Sequence, residues 1–201
     1  MKDIKQYLTE GFKLNKNYKK PFNYRPTTKD ELKDIINELI DKRGNCVNLN
    51  DIDTSQITDM SQLFQSSDFN GDISGWDVRN VTDMHYMFSH SNFNGDISEW
   101  DVSNVNDMAC MFDYSFFDGD LSKWDVSSVE DMSDMFNNSY FTGKKGDISN
   151  WDVSNVEDMQ YMFYRSKFSG DISNWDVSNV KCMVHMFKGS PLEGKEPAWY
   201  K

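Results

Sequence analysis

A tryptophan recurs at a nearly fixed interval in this chain. Trp76, Trp100, Trp124, Trp151 and Trp175 stand 24, 24, 27 and 24 residues apart. Each lies in close variants of one phrase, GDIS-x-WDVxxV-x-DM-x-x-MF. An earlier copy has Ile52 in the tryptophan place and continues through Asp53, Ile57, Met60, Leu63 and Phe64. Six copies are therefore visible between about residue 52 and Gly194. A period of this length implies a solenoid, in which each unit buries its apolar face only against its neighbours. Such an architecture directs the search for function to a surface rather than to a catalytic pocket.

Within the copy at Trp76, the residues expected in the core are Trp76, Val78, Val81, Met84, Met87, Phe88, Phe93 and Ile97. The spacing Val81-x-x-Met84-x-x-Met87-Phe88 predicts a short helix, with Asn80 or Thr82 as its cap and Asp83 near its positive end. Alternate apolar residues across Ile73–Val78 predict a short strand, entered through a turn at Gly71. One strand and one helix or helical turn per unit predicts an α/β fold, a leucine-rich-repeat-like solenoid of six ~24-residue units with an N-terminal helical cap and parallel strands about 4.8 Å apart. The longer interval before Trp151 comes from a three-residue insertion, Gly143-Lys144-Lys145, which places two cations on a turn.

The flanks divide the chain further. Residues 1–27 form a basic N-terminal arm with seven Lys and Arg against two acids. In it Ile4, Tyr7, Leu8 and Phe12 share one face of a short helix, followed by an extended stretch. Residues 28–50 hold the capping helix and first rung. Thr28 and Glu31 make a capping box, Leu32, Ile35, Ile36, Leu39 and Ile40 form the apolar stripe, and Gly44 stops the helix. Cys46, Val47 and Leu49 form the first rung. Residues 51–194 are the six-repeat solenoid, and 195–201 are a C-terminal cap or tail that departs from the phrase, with Trp199 and Tyr200 covering the last edge.

The net charge of -12 is unevenly distributed. Residues 1–50 carry eleven cations against seven acids, whereas the rest carries ten against 26. So acidic a body repels phosphate backbones, which argues against nucleic acid as its partner. No apolar run reaches the ~18 residues of a membrane span, and residues 1–14 lack the apolar stretch of a secretory signal. A cytoplasmic or virion-associated protein is expected. Cys46, Cys110 and Cys182 occupy non-equivalent repeat positions and are expected as buried or semi-buried free thiols rather than a disulfide framework or zinc site.

The phrase GDISNWDVSNV-x-x-M-x-x-MF, clearest at Gly146–Phe163 and Gly170–Phe187, closely resembles the repeat of BspA-like leucine-rich-repeat surface proteins, also known as the mycoplasma-lipoprotein-type repeat. The resemblance covers about residues 50–194. It implies adhesion or protein binding, and such repeats also occur in phage-encoded proteins. The basic N-terminal segment ending LNKN is reminiscent of leaders on some gut-phage proteins.

Three columns of aspartate run along the repeats: Asp72 to Asp171, Asp53 to Asp176 and Asp59 to Asp158. A row of calcium ions is one explanation. Asx-turns, in which each carboxylate accepts backbone N–H groups, are the favoured one. His85, His90 and His185 share no single repeat position, no Ser has a patterned His, and no phosphate loop is present, so neither an enzyme, a metal centre nor a cofactor site is expected. The positions that vary between copies are the better functional candidates. Tyr86, Tyr114, Phe116, Tyr140, Tyr161, Tyr164 and Arg165 are large groups that the repeat does not require, and Lys144 and Lys145 add charge beside them. These are residue types favoured at protein–protein contacts. The expected function is a non-catalytic protein-interaction module of recognition or adhesion type. The alternative is a structural or cargo component of a larger particle such as a phage virion, attached through the basic arm.

Overall fold

A computed structural model describes residues 22–201. The helix and extended stretch expected within residues 1–21 lie outside the described residues. From Asn23 onward the chain already lies on the first repeat. Tyr24 pairs with Ile52, and Arg25 reaches Asp53 at 3.3 Å.

Helix α1, Lys29–Arg43, forms where its local signals place it. The Thr28 hydroxyl accepts the Glu31 N–H at 3.3 Å. The Glu31 carboxylate accepts from Thr27, one residue further back than an ordinary capping box. Gly44, at φ 84°, donates its N–H to Ile40 O and ends the helix. Leu32, Ile36 and Leu39 are buried against the first repeat, so α1 closes that edge of the core.

The repeats themselves differ from expectation. Among the described residues α1 is the only helix, and every strand-like pairing is an isolated parallel bridge. The chain is therefore not an α/β leucine-rich-repeat solenoid, with neither a strand nor a helix in each unit. The bridges Asp59↔Asp83↔Asp107↔Asp131↔Asp158↔Cys182 link successive copies at one residue each.

The cause lies in the segment expected to be helical. Met87 N–H bonds to Met84 O, Ser89 to Tyr86 O and Ser91 to Phe88 O, so each turn closes over three residues rather than the four of an α-helix. The intervening N–H groups of Met84, Tyr86, Phe88 and His90 donate to Asp107, Ala109, Met111 and Asp113 of the next unit. Every fourth residue of this run is left-handed: Gln62 and Ser66, Tyr86 and His90, Cys110 and Tyr114, Asp134 and Asn138, Tyr161 and Arg165, and His185 lie at φ 50–58°. A left-handed L-residue costs roughly 1–2 kcal/mol, and here the inter-unit hydrogen bond offsets that cost. Asn80 caps nothing. Its Nδ2 donates to Ser55 O of the preceding unit, as Asn104, Asn155 and Asn179 do to theirs. Gly71 supplies space rather than a left-handed turn, since a Cβ there would stand 2.7 Å from the Phe69 ring.

Large aromatic columns fill the core. Phe64, Phe88, Phe112, Phe136, Phe163 and Phe187 stack with centroids 5.6–6.0 Å apart. Each tryptophan is nearly buried, and its Nε1 donates to a carbonyl of the unit before it: Trp76 to Leu49, Trp100 to Ile73, Trp124 to Ile97, Trp151 to Leu121 and Trp175 to Ile148. Trp199 continues the same ladder, bonding Ile172 O at 3.0 Å and lying over Trp175 at 6.5 Å. The tail thus keeps the tryptophan of the phrase after the rest has been lost, and Tyr200 packs edge-on against Phe187.

Replacing Trp124 by Phe removes one of the two donors to Ile97 O, which still accepts the Trp100 N–H at 3.2 Å, and leaves the buried indole's space unfilled, together costing about 1–3 kcal/mol. Trp124→Phe should lower stability in urea titration by that amount, and Trp199→Phe, at the partly exposed end, by clearly less.

Candidate functional site

All three aspartate columns perform the same local task. In the first, Oδ1 of Asp72, Asp96, Asp120, Asp147 and Asp171 accepts the N–H two residues ahead at 2.8–3.0 Å. Asp101, Asp125, Asp152 and Asp176 do likewise in the second, and Asp59, Asp83, Asp107, Asp131 and Asp158 in the third. These are Asx-turns, which put each negative charge against a backbone donor. Asp96 and Asp171 titrate below the usual carboxylate range, first because of the N–H groups of Ser98 and Ser173.

Two polar clusters break the monotony. Asp83, His85 and Asp107 place one ligand-type atom each within 4.8 Å of one another, a grouping that the out-of-register histidines did not announce. His85 Nδ1 is 2.7 Å from Asp83 Oδ1, the same oxygen that accepts the His85 N–H. Burial, reinforced by the charges of Asp83 and Asp131, holds the Asp107 carboxyl above its ordinary range.

The second cluster surrounds Asp113. This side chain is buried, its Oδ1 has no hydrogen-bond partner among the described residues, and its Oδ2 lies 3.7 Å from His90 Nε2. Burial, and then the charge of Asp134, push its pKa up to about 7. Ser89 Oγ faces it without closing a hydrogen bond, and pulls weakly the other way. Cys110 beside it is pushed up to about 11, chiefly by burial, and Tyr86 to about 12, chiefly through its contact with Cys110. A thiol so raised is a poor nucleophile at neutral pH. Cys182 is half-buried, whereas Cys46 is exposed, contrary to the sheltered position expected of it.

The large variable residues fall into two groups. Tyr114, Phe116 and Tyr140 are each about half exposed, at 50, 51 and 53%. Phe116 and Tyr140 stack at 4.9 Å across adjacent units, and His90 stacks on Tyr114 at 4.7 Å. Further along, Tyr161 meets Tyr164 edge-on at 5.5 Å, and Arg165 lies 5.1 Å from the Tyr164 ring centre. Tyr86, Tyr161 and Tyr164 are partly buried; Arg165, Lys144 and Lys145 are exposed, with Lys145 Nζ 4.0 Å from Asp118. Tyr86, Tyr114, Tyr161 and Arg165 are themselves left-handed residues, so the backbone rather than a loop aims them outward. His90 was missed as a member of this strip, although its position 24 residues before Tyr114 marks it. Val184, one of the positions that vary between copies, is 51% exposed.

Residues 33–146 and 114–194 match the family described as Mycoplasma protein of unknown function, DUF285. The chain belongs to this family. It is a repeat family, which agrees with the six copies visible in the sequence. No curated protein and no solved structure matches the chain. None of the described helices is long and apolar enough to cross a membrane.

Asp113 generates a pH prediction. The unfolded carboxyl ionises near 3.8, while the folded one keeps its proton to about 7, so folding is progressively penalised as pH rises between those values. Asp113→Asn should match the wild type in melting temperature at pH 4 and exceed it at pH 8, as followed by thermal scans. Because the Asp columns already spend Oδ1 on Asx-turns, EDTA should leave the melting temperature of the wild type unchanged.

Proposed function

We propose that the chain is a non-catalytic protein-interaction module whose contact surface is the aromatic strip centred on Tyr114, Phe116 and Tyr140. The observation that carries this reading is the half-exposure of three large rings on adjacent, rigidly stacked units. The core needs none of them, since both units that carry them already bury two phenylalanines and a tryptophan, Phe112, Phe117 and Trp100 in one and Phe136, Phe141 and Trp124 in the other. Contiguous exposed aromatics on a rigid support suit recognition, because little side-chain freedom is lost on docking. Tyr and Arg are also the residue types that concentrate binding energy. The similarity of GDISNWDVSNV to repeats of BspA-like surface proteins, for which adhesion or protein binding is suggested, supports the same reading.

The test compares the full-length wild type with a Tyr114→Asn/Phe116→Ser/Tyr140→Ser variant as bait for source-cell proteins. Asn suits the left-handed position of Tyr114, as Asn138 does in the next unit, so the fold should survive. Retention of the partner should fall by roughly tenfold or more. An unchanged set of retained proteins would remove the strip from consideration.

A further inference from the structure

The aromatic strip is polarised along the stack. Towards α1 it is flanked by the exposed Asp68 and the part-exposed Asp118. Away from α1 it is flanked by Lys144, Lys145, Arg165 and Lys167, all exposed. Phe116 and Tyr140 lie at the centre, in the third and fourth of six units, with their rings already parallel to within 22°.

A strip of this kind is complementary to itself in one orientation. A two-fold axis running across the stack between Phe116 and Tyr140 reverses the order of units but keeps each residue's lateral position. The third unit then faces the fourth of the other copy, and the second faces the fifth. Phe116 comes opposite the partner's Tyr140. Asp118, which Lys145 of its own chain approaches at 4.0 Å, comes opposite the partner's Lys144 and Lys145 in a shared ion cluster, and Asp68, held by Asn92 Nδ2 at 2.7 Å, comes beside the partner's Lys167. Two copies pointing the same way would instead set acid against acid and base against base. We propose that the occupant of the strip is a second copy of this chain, held by this two-fold, isologous contact. The insertion Gly143-Lys144-Lys145 acquires a role in this arrangement. It adds two cations beside the aromatic centre without disturbing the core columns, because Phe136 and Phe163 still stack at 5.7 Å across it.

The inference rests on the strip being a protein-binding surface, and its test separates the two. Sedimentation equilibrium of the full chain at micromolar concentrations should show a dimer, weakening as salt is raised because exposed charges at its rim are screened. Phe116→Ser/Tyr140→Ser should sediment as a monomer with an unchanged melting curve. Lys144→Glu/Lys145→Glu should weaken the dimer by about tenfold while leaving the aromatic contact in place. A wild type that is monomeric throughout, or a dimer that persists unchanged in the Phe116→Ser/Tyr140→Ser variant, would overturn the inference. If the wild type is monomeric but the strip variant still loses a captured protein, the strip binds another partner and only the self-association falls.

Discussion

The structure depends on hydrogen bonds that run from one copy of the repeat to the next through the Met-x-x-Met-Phe segment. In an ordinary β-ladder, successive N–H and C=O groups along a strand point alternately to opposite sides. Here the N–H groups of Met84, Tyr86, Phe88 and His90 all point towards the following unit, while the carbonyls of Asp83, His85, Met87 and Ser89 all accept from the preceding one. A strand would send the intervening peptides the other way, but here they close three-residue turns at the left-handed residues, so the inter-unit bonds of this segment all run in one direction. The result is a directional segment, with bare carbonyls on its α1 side and bare N–H groups on its far side, although other bonds such as Thr82 N–H to Thr58 O run the opposite way.

Both ends carry the charge that this direction demands. At the α1 end no earlier unit exists to donate, and the Lys33 ammonium bonds Leu63 O in its place. Lys29 similarly reaches Asp59, at 3.0 Å, and Ser61. Burial, with help from Lys29, draws the pKa of Lys33 below its ordinary value, a cost the site accepts to close the edge. At the other end Glu193 accepts the Gly189 N–H at 2.9 Å, where the equivalent Arg165 N–H one unit earlier bonds Lys188 O of the following unit. The helix is therefore an electrostatic cap as well as an apolar one.

How much could be seen in advance depended on how local each cause is. Helix α1 was legible to the residue, because its caps and apolar stripe act within a few positions of one another. The aspartate columns were legible as Asx-turns for the same reason. The Met segment was misread because a series of three-residue turns places Met84, Met87 and Phe88 at spacings that an α-helix also produces. The residue types gave little warning, since Gln, Ser, Tyr, Cys and Arg hold most left-handed positions and only His90, Asp134, Asn138 and His185 are of types enriched at positive φ. The exposed rings Tyr114, Phe116 and Tyr140 were identifiable as departures from the repeat, but their stacking on one another and on His90 was not.

Sequence alone determined the period, the number of copies, the core columns of Trp, Met and Phe, and the position of the capping helix. All of these follow from side-chain chemistry repeated at a fixed interval or from contacts within one turn of chain. Tertiary structure decided the backbone of each unit, the membership of Trp199 in the ladder and the placement of Asp113 without a partner for its Oδ1. The reason is that hydrogen bonds spanning about 24 residues outweigh local propensity. A segment whose own pattern suits a helix is drawn into turns because alternate N–H groups find carbonyls in the neighbouring copy.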